Sequence, residues 1–262
     1  MGRASLILTL LASFAVVAAD LRVGADQIPA KLLRPDGPGP FPAVVIAHDC
    51  SGLGPKSSGN PGRWADELIG LGYVVILPDS FSTRGFPNGV CTDPSPKRVE
   101  VGPLRRARDV HDAAAYLRTL PDVDARRIGL MGGSHGGSTT LNAMRSKGFV
   151  AAIALYPRCE TMRGIYRPSA PVRILTGEKD DWTPAEPCRK LAEDAAAAGQ
   201  PVSIKIYPGA HHAFDSPRPE RYLATRINPV APGGRGATTG GNPEAWADSR
   251  KEVAAFFAAH LK

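Results

Sequence analysis

The feature that most constrains the fold of this chain is a serine-containing segment, residues 127–138, with the sequence Arg-Ile-Gly-Leu-Met-Gly-Gly-Ser-His-Gly-Gly-Ser. Its apolar residues 128–131 are typical of a buried strand, and residues 138–147 are compatible with a helix. Between them, Gly132-Gly133-Ser134-His135-Gly136 matches G-x-S-x-G, in which a serine occupies a tight strand-to-helix turn. The pattern alone is weak in a glycine-rich chain, where the alternative is an ordinary turn. The flanking strand and helix strengthen it, and they predict that Ser134 is a nucleophile held at the edge of a sheet.

The rest of the chain alternates between short apolar segments and helical ones. The predicted buried strands are residues 43–47, 73–77, 149–155, 172–176 and 202–207, and the predicted helices are residues 63–70, 105–120, 187–198 and 245–261. This alternation indicates an α/β fold with a mainly parallel sheet flanked by helices on both faces. Since 43% of the 262 residues are hydrophobic and 22% are charged, the chain can bury the core of a globular domain.

One segment departs from this pattern. Residues 216–243 are rich in Pro, Gly, Arg and Thr and show no hydrophobic periodicity. They predict a long loop that follows the last strand and so lies near the site. Long loops of this kind are usually either functional or disordered, and the composition does not decide between the two.

The N-terminus has the pattern of a secretory signal peptide. Arg3 precedes an uncharged, largely apolar run over residues 4–19, which ends in small residues before Asp20. We therefore expect a signal peptide over residues 1–19 and one mature domain over residues 20–262. The protein is predicted to be secreted or periplasmic, without stable membrane insertion after cleavage. An uncleaved anchor is the alternative, although the run is short for a membrane span.

The formal net charge of +7 raises the question of nucleic-acid binding. The Lys and Arg residues are scattered, however, and no aromatic stripe is interleaved with them, so we expect no nucleic-acid partner. The His, Cys, Asp and Glu residues lack metal-ligand spacing, and no glycine-rich phosphate-binding motif is present. The sequence therefore predicts neither a metal nor a cofactor.

A serine nucleophile needs a base and an acid that orients the base. The strand at residues 172–176 runs into Gly177-Glu178-Lys179-Asp180-Asp181-Trp182, and the strand at 202–207 runs into Pro208-Gly209-Ala210-His211-His212-Ala213-Phe214. An acid and a histidine thus follow successive strands after the serine. From the residues alone, either aspartate could be the acid, and either histidine could be the base.

These segments together resemble the dienelactone hydrolase family of α/β-hydrolases. The likeness runs from about residue 30 to residue 261. It is carried by the elbow at Ser134 and by four further segments: Ala47-His48-Asp49-Cys50-Ser51-Gly52, Pro78-Asp79-Ser80-Phe81, residues 177–184 and residues 207–214. By this resemblance the triad is Ser134, Asp180 and His212. The founding members of the family use a cysteine nucleophile, whereas this chain has a serine, so the dienelactone substrate does not follow from the resemblance.

The resemblance also implies roles around the triad. The backbone amide of His135, at the start of the helix after the serine, and that of Cys50 would form the oxyanion hole. Asp49 stands where the cysteine enzymes carry a glutamate that contacts the nucleophile. Arg84 lies within about one residue of a family arginine that binds the substrate carboxylate, although a solvated loop arginine is an equal alternative.

The favoured function is therefore hydrolysis of a small-molecule ester or lactone through an acyl-enzyme. The alternatives are transfer of the acyl group to another acceptor by the same triad, and a hydrolase scaffold that binds ligands without turnover.

The four cysteines are predicted to form two disulfides, because an exported chain meets an oxidising compartment. In the implied topology, Cys50 and Cys91 follow neighbouring strands, and so do Cys159 and Cys188. The expected pairs are Cys50–Cys91 and Cys159–Cys188, and the alternative is four reduced, buried thiols.

Overall fold

A central sheet of eight strands dominates the structure, a computed structural model that describes residues 21–262. The strands are β1 (Leu21–Val23), β2 (Ile28–Leu33), β3 (Phe41–Ala47), β4 (Val74–Pro78), β5 (Val123–Gly133), β6 (Ala152–Leu155), β7 (Val172–Gly177) and β8 (Val202–Tyr207). Their order across the sheet is β1-β2-β4-β3-β5-β6-β7-β8. The pairs β1–β2 and β2–β4 are antiparallel, and every pair from β4 to β8 is parallel. The prediction of a mainly parallel sheet is confirmed.

Helices cover both faces of this sheet, as predicted. They are α1 (Asn60–Gly70), α2 (Pro103–Leu117), α3 (His135–Ala143), α4 (Ala185–Ala197) and α5 (Pro243–Leu261). The core on one face is shared by α2, α3 and α4, and the core on the other by α1 and α5. Strand residues alternate between the two cores: Val45 faces the first, while Val44 and Ile46 face the second. Because both faces are buried, the strands read as continuous apolar runs in the sequence.

The helices dock through apolar stripes at helical spacing. In α2 the buried positions include Val110, Ala113, Ala114 and Leu117, which recur every three or four residues. Since Leu117 is fully buried, truncating it to alanine would cost about 2–5 kcal/mol of stability. Short 3₁₀ helices lie in the loops at Ser82–Arg84, Pro96–Val101, Cys159–Thr161 and Pro232–Gly234.

The prediction of a long loop over residues 216–243 is wrong. This segment contains a β-hairpin of β9 (Arg221–Ile227) and β10 (Arg235–Thr239), which forms a separate two-stranded sheet. Most residues of β9 are exposed or half-buried, so the strand lacks the apolar alternation by which a strand is detected. The expected position near the site holds, because the hairpin forms a bridge between Thr239 and His212.

The parallel register brings the carboxyl ends of six strands, β3 to β8, to one edge of the sheet. Ala47 of β3 pairs with Gly132 of β5, and Gly177 at the end of β7 pairs with Tyr207 at the end of β8. The loops that leave this edge therefore start side by side, although their residues are far apart in sequence.

Both predicted disulfides are present, Cys50–Cys91 and Cys159–Cys188. They are the form expected of a protein in an oxidising compartment. The predicted signal peptide at residues 1–19 lies outside the described residues. Within residues 21–262, no helix has the length and apolar character needed to cross a bilayer.

Candidate functional site

Ser134 occupies a sharp turn between β5, which ends at Gly133, and α3, which begins at His135. Its backbone has φ 54° and ψ −117°, a conformation that is strained for a residue with a side chain. The turn brings backbones into close contact, since a Cβ on Gly136 would lie 2.0 Å from the Ala47 carbonyl oxygen. Glycine is required there for steric reasons, and the local geometry is that of the nucleophile elbow.

Three side chains from separate loops form a continuous hydrogen-bonded chain at this turn. The Ser134 hydroxyl lies 2.9 Å from Nε2 of His212, and Nδ1 of His212 lies 2.8 Å from Oδ2 of Asp180. All three residues are buried. The tautomer that satisfies both contacts carries its proton on Nδ1 and leaves Nε2 free to accept the serine proton.

The loop after β7 separates the two candidate acids. Asp180 directs Oδ2 to His212, and its Oδ1 accepts hydrogen bonds from the backbone amides of Trp182 at 2.9 Å and Thr183 at 2.8 Å. Asp181 points away and accepts hydrogen bonds from the amide and hydroxyl of Thr238 on β10. Asp180 therefore contacts the histidine, and Asp181 ties this loop to the hairpin.

The neighbouring histidines are likewise distinguished by their contacts. His211 lies 3.2 Å from the Glu220 carboxylate and does not contact Ser134, so it takes no part in the hydrogen-bonded chain. Thr183 was missed at the sequence level. Its hydroxyl lies 3.0 Å from both Oδ2 of Asp180 and Nδ1 of His212, and it helps to fix their relative orientation.

The amides proposed for the oxyanion hole flank the serine. His135 is the first residue of α3, so its N–H has no acceptor within the helix. The Cys50 amide lies in the loop after β3, which is anchored by the disulfide to Cys91 and by a 2.7 Å hydrogen bond from the Val90 amide to the Cys50 carbonyl. Within residues 21–262, neither amide donates a hydrogen bond to a protein acceptor. Both are free to bind a developing oxyanion.

A buried arginine on α2, Arg106, contacts both His48, in the loop after β3, and His135, in the turn after Ser134. Its Nη1 donates to Nδ1 of His135 at 2.6 Å, and its Nη2 donates to the His48 carbonyl at 2.8 Å. The guanidinium also lies 4.8 Å from the centre of the Phe81 ring. Burial lowers the pKa of Arg106 to about 10, and the nearby Asp109 carboxylate opposes that shift. Arg106 thus holds the loop that carries Cys50 against the turn that carries His135.

The side chains of His48 and His135 are engaged in hydrogen bonds beside the site. Nδ1 of His48 lies 2.8 Å from the Asp49 carbonyl, and Nε2 accepts a hydrogen bond from the Ser80 amide. Burial, with the Arg106 charge adding to it, lowers the pKa of both histidines well below the usual value. Both rings are therefore neutral at pH 7 and support the surrounding loops as hydrogen-bonding groups.

Asp49 lines the same cavity as Ser134. Its carboxylate is engaged within its own loop, accepting hydrogen bonds from the Ser51 amide, the Ser51 hydroxyl and the Ser58 hydroxyl. These contacts give Asp49 a role in shaping the loop that carries the Cys50 amide.

The structure does not place Arg84 in the cleft. Both of its terminal nitrogens bind the carboxylate of Asp109, at 2.7 and 2.8 Å, and one of them also binds Asp26. Arg84 lines neither of the cavities beside Ser134. Its predicted role as a substrate-binding residue is wrong, because its guanidinium is occupied by structural ion pairs.

A buried carboxyl group, that of Asp215, lies three residues after His212 and was also missed. It accepts hydrogen bonds from Asn60, from the Trp64 indole at 2.7 Å and from the Tyr156 hydroxyl at 2.8 Å. Burial raises the pKa of Asp215, and the indole and phenol donors oppose the rise. The Tyr156 ring packs edge-on against the His212 ring, with centroids 4.8 Å apart. Through this contact, the hydrogen bonds of Asp215 help to hold the His212 ring in place.

Two adjoining cavities open at Ser134, with volumes of about 290 and 440 Å³. Both are lined by Ser134, by the Cys50–Cys91 disulfide and by Trp182. Among the described residues, no group of three His, Cys, Asp or Glu side chains is arranged to hold a metal ion. The arrangement around Ser134 has the parts needed to activate a hydroxyl and to stabilise an oxyanion.

Comparison with known proteins agrees with this geometry. A protein of Escherichia coli (strain K12) named "Putative carboxymethylenebutenolidase" is 27% identical over 216 residues, which cover 76% of this chain and 78% of that protein. Two solved structures share the fold. One is a dienelactone hydrolase-like promiscuous phosphotriesterase from metagenomic libraries, with a TM-score of 0.67 and 19% identity over 90% of this chain and 93% of the other. The second is a propionate-bound esterase of Thermogutta terrifontis, with a TM-score of 0.62 and 18% identity over 92% of this chain and 94% of the other.

The sequence model of the dienelactone hydrolase family matches residues 28–261, which include β2 to α5 and every residue of the candidate site. With this match over nearly the whole described chain, and with the sheet order and elbow described above, the protein belongs to the dienelactone hydrolase family of α/β-hydrolases.

Proposed function

We propose that this protein is a serine hydrolase that cleaves esters or lactones through an acyl-enzyme on Ser134. The observation that carries the proposal is the hydrogen-bonded chain from the Ser134 hydroxyl through His212 to Asp180. A serine hydroxyl is a weak nucleophile unless a base accepts its proton, and His212 is within reach to do so. Family membership and the resemblance of the fold to an esterase support the same reaction class.

The reaction proceeds in two halves. As Oγ of Ser134 bonds to the ester carbonyl carbon, its proton passes to Nε2 of His212. The carbonyl oxygen becomes an oxyanion, which accepts hydrogen bonds from the Cys50 and His135 amides. The bond to the leaving oxygen then breaks, and that oxygen takes the proton from His212. In the second half, a water molecule loses a proton to His212 and attacks the acyl carbon, which releases the acid and restores Ser134.

Asp180 acts through the histidine. Its carboxylate holds Nδ1 protonated, so that Nε2 faces the serine as an acceptor, and it stabilises the imidazolium formed in each half. The two backbone amides on Oδ1 keep the carboxylate in position without neutralising it.

Labelling with a fluorophosphonate probe, together with hydrolysis of 4-nitrophenyl esters, tests the proposal. Wild type should be labelled and active, whereas Ser134→Ala should be unlabelled, with kcat lower by roughly a million-fold. Ser216→Ala is the matched control, because Ser216 lines the same cavity and should leave both readouts unchanged. Absence of both labelling and hydrolysis in folded wild type would favour a binding role, whereas an active Ser134→Ala would overturn the mechanism on Ser134.

We also propose that the mature chain begins at Asp20 and works in the periplasm or outside the cell. The two disulfides support an oxidising compartment. N-terminal sequencing of protein recovered from the medium or periplasm should give Asp20, and an intact Met1 would refute cleavage.

A further inference from the structure

Ser134 lies at the boundary between two cavities of different chemical character. The smaller, of about 290 Å³, is bounded by His212 and by the hairpin. The larger, of about 440 Å³, is bounded by His135 and by the segment around Pro96–Val101. A substrate held at Ser134 would therefore extend into both.

The proposed reaction assigns one part of an ester to each cavity. The leaving oxygen must receive a proton from Nε2 of His212, so the alcohol part has to lie on the side of that ring. His212 lines the smaller cavity and not the larger one. With the oxyanion directed at the amides of Cys50 and His135, the acyl group is left to extend into the larger cavity.

The smaller cavity carries an excess of positive charge. Its lining includes Lys56, Arg218, Arg221 and Arg226, and none of the four forms a salt bridge within residues 21–262. The one carboxylate in the lining belongs to Asp49. That carboxylate is already engaged by the Ser51 and Ser58 side chains.

Arg226 is the most informative of these cations. It is half-buried on β9, its guanidinium carbon lies 5.9 Å from the centre of the Trp182 ring, and its buried Nε has no hydrogen-bond partner among the described residues. Its guanidinium lines the cavity and forms no salt bridge within residues 21–262, so an anionic ligand there would supply the charged partner that it lacks.

The larger cavity is mostly apolar. The apolar side chains in its lining include Val90, Val99, Leu104, Met162, Ile227 and Pro229. Two arginines also line it: Arg158 pairs with Glu160, and Arg98 donates a hydrogen bond to the Asp93 carbonyl. Within residues 21–262, this leaves one arginine without a salt bridge in the larger cavity, against four such cations in the smaller one.

At its mouth this cavity continues into exposed apolar surface. Val99 and Leu104, which line the cavity, are 75% and 74% exposed, so apolar side chains border its opening to solvent. An acyl chain longer than the cavity would lie across them.

We propose that the substrate is an open-chain ester that joins an apolar acyl group to an alcohol bearing an anionic group. The acyl group lies against Leu104 and Met162, and the anion lies among the hairpin arginines around Arg226. This inference rests on the proposed ester hydrolysis, and it adds which end of the substrate carries the charge.

Three phenyl esters that differ in the position of one charge test the inference. They are 4-(butanoyloxy)benzoate, charged on the leaving group; its neutral methyl ester; and methyl 4-(succinyloxy)benzoate, charged on the acyl group. Arg226→Gln should lower kcat/KM for the first by about tenfold or more, because an ion-paired hydrogen bond is lost. The same variant should change kcat/KM for the other two by less than about twofold.

Controls separate this effect from damage to the hairpin. Arg235→Gln removes an exposed arginine of β10 that does not line the cavity, and it should leave all three substrates unchanged. Arg221→Gln changes an exposed residue of the cavity lining, and it should repeat the Arg226→Gln pattern more weakly. Leu104→Ser should lower kcat/KM for 4-nitrophenyl octanoate more than for the acetate.

The outcomes are distinct. Equal losses of kcat/KM on all three phenyl esters in Arg226→Gln, or a loss confined to the succinyl ester, would overturn the assignment of charge. Wild type that hydrolyses none of the three, the neutral ester included, would instead overturn the proposed ester hydrolysis itself.

Discussion

Replacing Asp180 by asparagine tests whether activity depends on the direction of one hydrogen bond, the one between residue 180 and Nδ1 of His212. The two oxygens of Asp180 have different partners: Oδ1 accepts from the amides of Trp182 and Thr183, and Oδ2 faces Nδ1 of His212 at 2.8 Å. In Asp180→Asn the carboxamide oxygen should stay at the Oδ1 position, since two N–H groups need an acceptor there. The NH₂ group then faces Nδ1 and requires it to be an acceptor. The ring proton moves to Nε2, which can no longer take a proton from Ser134.

The size of the effect follows from the cost of reversing that arrangement. Turning the carboxamide around would restore the productive tautomer, but it would place NH₂ against two buried amides. Each unsatisfied donor costs about 1–3 kcal/mol, so the reversal costs about 2–6 kcal/mol. At 1.36 kcal/mol per tenfold, the upper part of this range corresponds to a rate loss of about 10³- to 10⁴-fold. Loss of the carboxylate charge acts in the same direction, and the equivalent change in a serine protease triad costs about 10⁴-fold in kcat.

The assay is kcat for 4-nitrophenyl butyrate at neutral pH, with circular dichroism to establish that each variant is folded. Asp181→Asn is the matched control, because Asp181 contacts Thr238 rather than His212 and its amide can still accept from the Thr238 N–H. We expect that variant to stay within a few-fold of wild type. If folded Asp180→Asn kept more than a tenth of wild-type kcat, or if Asp181→Asn were the more damaged, the argument from tautomers would be wrong.

Three further predictions concern groups around the triad. Because burial holds the His48 pKa below 6.5, the unfolded chain takes up a proton that the folded chain does not as pH falls below that value, and stability is lost. Urea unfolding between pH 7 and about pH 5 gives the free energy of unfolding as a function of pH. In His48→Gln, its fall per pH unit should be smaller by up to about 1.4 kcal/mol, and the same fall as in wild type would contradict a neutral, buried His48. Arg106→Lys should lower kcat by about 10- to 100-fold with little change in KM, since one ammonium cannot span the His48 carbonyl and the His135 ring; a rise in KM alone would argue against a positioning role. Replacing Cys159 and Cys188 by serine should lower the free energy of unfolding by roughly 3–4 kcal/mol, as expected for a closed loop with a sequence separation of 29, and unchanged chemical denaturation would refute it.

The fold and the elements of the site were predictable because they depend on local sequence. Strands buried on both faces leave uninterrupted apolar runs, and the glycines around Ser134 mark a turn where backbones nearly touch. The serine, the acid loop and the histidine loop each directly follow a strand of their own. Once those strands are parallel, their carboxyl ends share an edge, and the loops are brought together without any long-range information. The disulfide pairing follows from the same strand order.

Tertiary structure decided what depends on contacts between distant residues. Adjacent aspartates in a loop point in different directions, and only the partners of Asp180 and Asp181 on other segments reveal which one meets His212. The hairpin was missed because its strands are exposed and carry no apolar period. In the sequence, Arg84 could be either a substrate-binding residue or a solvated loop arginine, because its ion pair with Asp109, 25 residues along the chain, has no sequence signature. A charged side chain looks the same in a sequence whether it is solvated, paired or unpartnered in a cleft. Burial and partners distinguish these states, and both are properties of the folded chain.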